Sequence, residues 1–218
     1  MIIRKYGILL RRLEHKDIEL VRVKRNKDSV RNFMFYREEI TKQEQEEWFK
    51  SINNIYNYYF IIECDHKKVG LINGKNIDYE KRTSEGGIFI WDEDYRDVQI
   101  SAIASVIMAE FTFLIFGFKK TYAEILASNN AQIKYNEFMG YELENKQDDK
   151  LIYVLTQANY LRKRARLLKA ITQLTNDKTP ITWGDLDFSD IEQREIKELY
   201  KGLPQFIQHH LDKLLLNN

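Results

Sequence analysis

The chain has 218 residues, 44% hydrophobic and 31% charged, with 34 Lys+Arg against 33 Asp+Glu. A net charge of +1 supplies no global field for nucleic acid or an anionic membrane, so neither is expected as a partner. The single cysteine, Cys64, excludes an internal disulfide and fits a reducing, cytoplasmic setting.

The size suits one well-buried domain with a small appendage. His15, His66, His209 and His210 have no cysteine or carboxylate at metal-ligand spacing, so no metal is expected. The apolar stretch in MIIRKYGILLRR is too short and too basic for a secretory signal.

In chain order, Tyr6 to Leu13 reads as a first strand, His15 to Lys24 as a short helix, and Asp28 to Phe35 as a helix or turn. Thr41-Lys42-Gln43-Glu44 has the form of a capping box and opens a helix through Trp48, Phe49 and Ile52. Tyr56 to Cys64 and Val69 to Ile77 read as an antiparallel hairpin around Asp65-His66-Lys67-Lys68. Gly87 to Trp91 is the next strand.

Ile100 to Phe118 is long and apolar enough to span a bilayer, but Ser101, Ser105, Glu110 and Thr112 dilute it. Strands flank it closely, which favours a buried helix. Thr121 to Ala127 is a strand, Asn129 caps a helix to Met139, and Gly140 ends it. Tyr141 to Glu144 and Leu151 to Thr156 form a last hairpin. These elements predict a mixed sheet with helices on both faces over residues 1–156.

Residues 157–218 read as an amphipathic, all-helical extension without strands. Its first stripe is Leu161, Ala165, Leu168 and Ile171, with Arg162, Arg164 and Arg166 on the wet face. Thr175 to Phe188 is a linker, and Ser189 to Glu192 is a second capping box. Ile196, Leu199, Leu203, Ile207, Leu211 and Leu214 continue the apolar pattern. Such faces pack on the body or on a second subunit, so a homodimer through this segment is one expectation.

The chemistry centres on Ser84 to Tyr141, which reads strand, turn, buried helix, strand, helix. A strand running into a helix leaves backbone N–H groups and a positive dipole end at the turn, the usual seat of a phosphate.

The element order resembles the GNAT superfamily of acyl-CoA-dependent N-acetyltransferases. Lys24-Arg25-Asn26, Val30-Arg31, Met34, Ile40-Thr41 and Trp48-Phe49 are similar to the N-terminal block of two branches. One branch acetylates nucleotide-linked amino sugars of the pseudaminic-acid pathway, the other ribosomal-protein N-termini. Tyr122-Ala-Glu-Ile-Leu-Ala, Asn129 and Gly140-Tyr141 are similar to the family's closing strand, helix and Gly-aromatic ending.

The resemblance implies a GNAT-like, mostly antiparallel central sheet flanked by helices, of class α/β (α+β). It also implies acetyl-CoA as co-substrate. The phosphate loop would be Arg96, Asp97, Val98, Gln99, Ile100, Ser101 and Ala102, with Gln99 where the family has glycine and narrowing the groove. Ile90 and Trp91 would offer oxyanion donors, and Asn129 and Asn136 would complete the acyl-CoA site. Glu85 is the expected base, with Glu124 behind it. Asn136 falls where much of the family holds a catalytic tyrosine, so thiolate is expected to leave unassisted unless Tyr135 reaches in through a shifted register.

Arg25, Asn26, Arg31, Met34 and Tyr36 would bind the acceptor, a primary amine carried on a nucleotide-linked sugar. The alternatives are a protein or peptide N-terminus, or a non-catalytic binding module whose helical tail recruits a partner.

Overall fold

The computed structural model describes residues 1–96, 98–189 and 194–216. A strand that the sequence reading missed, β1 (Ile2–Lys5), precedes its first strand, β2 (Ile8–Arg12), and the two form a hairpin. Tyr6 and Gly7 turn it with φ of 50° and 78°, the left-handed pair that a two-residue hairpin loop requires. A short 3-10 turn, His15–Asp17, leads into α1 (Ile18–Arg25), followed by α2 (Asp28–Arg31).

The Thr41 capping box forms as expected. Its hydroxyl accepts from Glu44 N–H, and the Glu44 carboxylate accepts from Thr41 N–H, opening α3 (Lys42–Ile52). β3 (Tyr58–Cys64), β4 (Lys67–Asp78) and β5 (Thr83–Ile90) form an antiparallel meander.

α4 (Val98–Glu110) stops eight residues short of Phe118 and passes into a π-helical turn, Phe111–Ile115. Among the described residues no helix is long and apolar enough to cross a membrane. β6 (Lys120–Leu126) and α5 (Asn130–Met139) follow, with Asn129 capping α5 and Gly140 closing it at φ 100°. β7 (Glu142–Gln147) and β8 (Lys150–Thr156) complete this part of the chain.

One sheet contains the nine strands seen among the described residues, in the order β7-β8-β6-β5-β4-β3-β2-β1 and, at the far edge, β9 (Leu186–Asp187). All neighbours are antiparallel except β5 and β6. Ile61, Leu71 and Trp91 pack one face against Val21, Val30 and Phe49 of α1–α3. The opposite face, with Leu10, Phe60, Ile62 and Ile72, is covered by α4 and by α6 (Gln157–Thr175). This is the mixed sheet with helices on both faces that the element order predicted, with the mostly antiparallel pairing that the resemblance implied.

The C-terminal segment departs from the sequence reading in three ways. It contains a strand, β9, paired to β1. The inward face of α6 is Tyr160, Leu167, Leu168 and Ile171, while Leu161 and Ala165 are exposed. Arg164, expected on the wet face, turns inward to Glu110. Ile181, Leu186, Ile207 and Leu211 join the same core, the last two from α8 (Gln205–Leu216), which follows α7 (Arg194–Lys201). These apolar residues are therefore covered by the chain's own body. Of the second capping box, Ser189 is described; Asp190, Ile191 and Glu192 lie outside the described residues.

Candidate functional site

β5 and β6 run parallel and pair only at their first residues, Thr83 to Glu85 with Lys120 to Tyr122. Beyond that they splay. The register makes the consequence explicit. Trp91 N–H donates to Val69 C=O across the β4 edge at 3.0 Å, so alternation along the strand turns Ile88 and Ile90 the other way, into the gap. Their amide groups face a space with no strand beside it, and an extended ligand bearing amides can satisfy them as a strand would.

The gap opens into a cleft of about 1160 Å³ that passes through the sheet from the α4–α5 side to the α1–α3 side. On the α4–α5 side, α4 meets the cleft through Ser101 in its first turn, which brings the positive dipole end of the helix to this wall. Ser101 and Ser105 line it, one helical turn apart. Gln99, expected to narrow the groove, is exposed and off the cleft wall; Ile100 and Ala102 are half-buried in α4 and also off it. Val98 opens the helix, and Asp97 lies outside the described residues.

Arg96 braces the end of β5. Its Nε donates to Ile90 C=O at 3.3 Å, and its Nη2 donates to Ser29 Oγ at 3.0 Å, tying the turn to α2. Trp91 departs from its expected role. Its N–H is already used by Val69 and its indole Nε1–H donates to Lys68 C=O at 2.7 Å, so of the two proposed oxyanion donors only Ile90 faces the gap.

α5 presents its face through Asn129, Gln132, Tyr135 and Asn136. The Asn129 carboxamide oxygen caps the helix by accepting from Gln132 N–H at 3.1 Å. The Asn136 Nδ2 turns back to donate to Gln132 C=O at 2.9 Å. Tyr135 instead reaches across the cleft wall. Its hydroxyl donates to Ser101 C=O at 2.8 Å and stands 2.7 Å from Ser105 Oγ. Burial pushes this phenol well above its ordinary value, the hydrogen bond to Ser105 pulling the other way, so it holds its proton at neutral pH.

At the narrow end of the gap, Glu85 carries both oxygens engaged, one with Lys75 Nζ at 2.5 Å and one with Asn76 Nδ2 at 2.9 Å. Glu124, paired to Lys150 at 2.8 Å, lines the same recess. Both carboxylates also reach the main cleft.

On the α1–α3 side, Arg25, Met34 and Tyr36 line the cleft among Phe33, Phe35 and Trp48. Asn26 and Arg31 do not. Asn26 is a structural clamp, its carboxamide both accepting from and donating to the Ile40 backbone at 2.9 Å. Arg31 pairs with Asp28 at 2.5 Å. Gln45, Asn73, Gly87 and Ser105 also line the cleft and were missed in the sequence. The Gly86-Gly87 doublet inside a strand was the available signal, since glycine there marks close approach of another group.

A model of the GNAT acetyltransferase domain matches residues 8–142, well over half of the chain. Escherichia coli K12 spermidine N(1)-acetyltransferase is 24% identical over 147 residues, covering 64% of this chain and 75% of that protein. Among solved structures, Vibrio cholerae spermidine N-acetyltransferase in complex with CoA and spermine superposes with a TM-score of 0.63 at 19% identity, covering 72% of this chain and 99% of that one. A domain from Methanocaldococcus jannaschii gives a TM-score of 0.60 at 24% identity, covering 68% and 97%. These likenesses correct the finer resemblance: the relatives are named for spermidine, not for sugar nucleotides or ribosomal proteins. The chain belongs to the GNAT family and is an acetyl-CoA-dependent N-acetyltransferase.

Proposed function

We propose that this protein transfers the acetyl group of acetyl-CoA directly to the primary amine of a small molecule within the β5–β6 gap. The observation that carries the reading is the splay itself. It leaves Ile88 and the Ile90 N–H without a neighbouring strand, while Ile90 C=O accepts from Arg96 Nε, in a cleft also lined by Ser101 and Tyr135.

The pyrophosphate is held by the dipole end and N–H groups of α4, with the Arg96 guanidinium nearby. The pantetheine amides extend along Ile88 and Ile90 in place of a strand. A backbone N–H on that edge stabilises the oxyanion as the amine attacks. The amine enters from the α1–α3 side and sheds its proton toward Glu85, with Glu124 behind it. Tyr135, protonated and on the cofactor side, supplies the proton to the departing thiolate. Asn136, tied to its own helix and without a proton to give, takes no part in that step.

Two measurements test this. CoA and acetyl-CoA should raise the melting temperature of the purified protein by mass action. Release of free thiol from acetyl-CoA should depend on an added amine. Spermidine belongs in the first panel, because relatives are named for it. No thermal shift at millimolar CoA would overturn the reading.

A further inference from the structure

Three polar atoms on the acceptor side of the cleft are buried and meet no hydrogen-bond partner among the described residues: Arg25 Nη1, Gln45 Nε2 and Asn73 Nδ2. They come from three different elements. Arg25 ends α1, Gln45 sits in the first turns of α3, and Asn73 lies on β4 between Tyr59 and Gly87. All three line the cleft, and Gln45 is only 4% exposed. Asn73 shares the face of Leu71, one pleat away, so its carboxamide points to the α1–α3 layer that holds the other two. Gly87 leaves it room: a Cβ there would stand 2.9 Å from Asn73 Oδ1.

Buried donors without acceptors are costly, and three that line one cleft call for an acceptor there. The guanidinium fixes the sense of the site, because it can only donate. Charge points the same way. In this cleft Glu85 pairs with Lys75, Glu124 with Lys150 and Arg96 with Glu93, while Glu44 accepts from the neutral Thr41 and Tyr36. Arg25 has the Tyr36 carbonyl and, among the described residues, no carboxylate. Partial burial, and after it the charge of Arg31, pulls its guanidinium below the ordinary value, as expected of a half-buried cation.

We infer that the acceptor amine also carries an anionic oxygen group, a carboxylate or phosphate, received by Arg25, Gln45 and Asn73. This rests on the acetyltransferase reading and narrows its substrate to amines of mixed charge, away from polyamines, which bring only cations and donors to these three donors.

The test is acetyl-CoA turnover on three arms: amines bearing a carboxylate, amines bearing a phosphate, and spermidine. The expected result is a higher kcat/KM on one anionic arm, with Arg25→Ala raising KM for that amine about tenfold to a hundredfold, the loss of a charged hydrogen bond. KM for acetyl-CoA should not move. Asn73→Asp, nearly isosteric, puts a like charge into the cleft wall beside Gly87 and should raise KM for the anionic amine if Arg25→Ala fails to fold. A preference for spermidine over both anionic arms, or anionic turnover indifferent to these variants, overturns the inference while leaving the acetyltransferase intact. No turnover on any arm together with no thermal shift by CoA would instead overturn the underlying reading.

Discussion

Arg164 on α6 donates from Nε to Glu110 Oε1 at 2.9 Å, joining the C-terminal segment to the last residue of the buried helix α4. Glu110 has no solvent exposure, and its other oxygen accepts from Tyr6 O–H at 3.0 Å and Ile181 N–H at 2.8 Å. One carboxylate thus holds the first hairpin, the buried helix, α6 and the segment before β9. Removing the cation leaves a buried charge uncompensated, which costs about 3–5 kcal/mol. Arg164→Met should lose stability of that order in denaturant unfolding, and Arg164→Lys should recover part of it. A change within experimental error would mean that Tyr6 and Ile181 alone suffice.

The same arrangement predicts the fate of a truncation after Thr156. Tyr160, Leu167, Leu168, Ile171, Ile181, Ile207 and Leu211 are buried in the main core, and their loss uncovers Phe113, Met139 and Leu155. Each fully buried side chain of this kind contributes about 1.5–3 kcal/mol. Residues 1–156 alone should therefore be aggregated or lack a cooperative melting transition. A soluble, cooperatively folding fragment would show that the segment is a dispensable addition.

Tyr135→Phe removes the hydroxyl beside Ser101 and Ser105 while keeping the ring. If Tyr135 protonates the thiolate, kcat falls roughly a hundredfold, the scale of general-acid catalysis, and the thermal shift with CoA persists. The pH profile adds a second readout. Only the protonated phenol acts, and burial raises its pKa above the ordinary value near 10, so any alkaline fall in kcat due to this group lies above about pH 10. Unchanged kcat in the variant would return the reaction to unassisted thiolate departure.

Asp17 sets an acid-side stability limit. Burial alone would raise its pKa, but hydrogen bonds from Arg11 and Lys68 outweigh this and bring it from 3.8 to about 2. A depressed folded-state value gives stability that is complete above the unfolded pKa and lost as pH falls from about 4 to about 2. The amount is about 2 kcal/mol. Asp17→Asn should flatten the stability profile in that window and lower stability at neutral pH; an unchanged acid limb would assign it to other carboxylates.

Much of this was legible in local sequence. The Thr41 and Asn129 caps, the Gly140 terminus and the hairpin around Asp65-His66 are short-range devices, decided by groups a few residues apart. The Tyr6-Gly7 turn was equally local but went unread, because the alternation of Tyr6 to Leu13 hid a pair of left-handed residues. Of the site, the Ser84 to Tyr141 unit could be located, yet Tyr135 and Asn136 could not be ranked. Neighbours on a helix differ by about 100°, and where each points depends on how α5 rolls against α4.

What the sequence alone determined is the order and type of most elements, β1 and β9 excepted, since caps, turns and hydrophobic period act within a few residues. Tertiary structure decided the rest. It placed Arg164 inward rather than in water because a carboxylate 54 positions away was waiting. It also gathered Arg25, Gln45 and Asn73 from α1, α3 and β4 around one cleft. Neither arrangement leaves a periodic trace along the chain, because partners brought together by a sheet have no fixed separation in sequence.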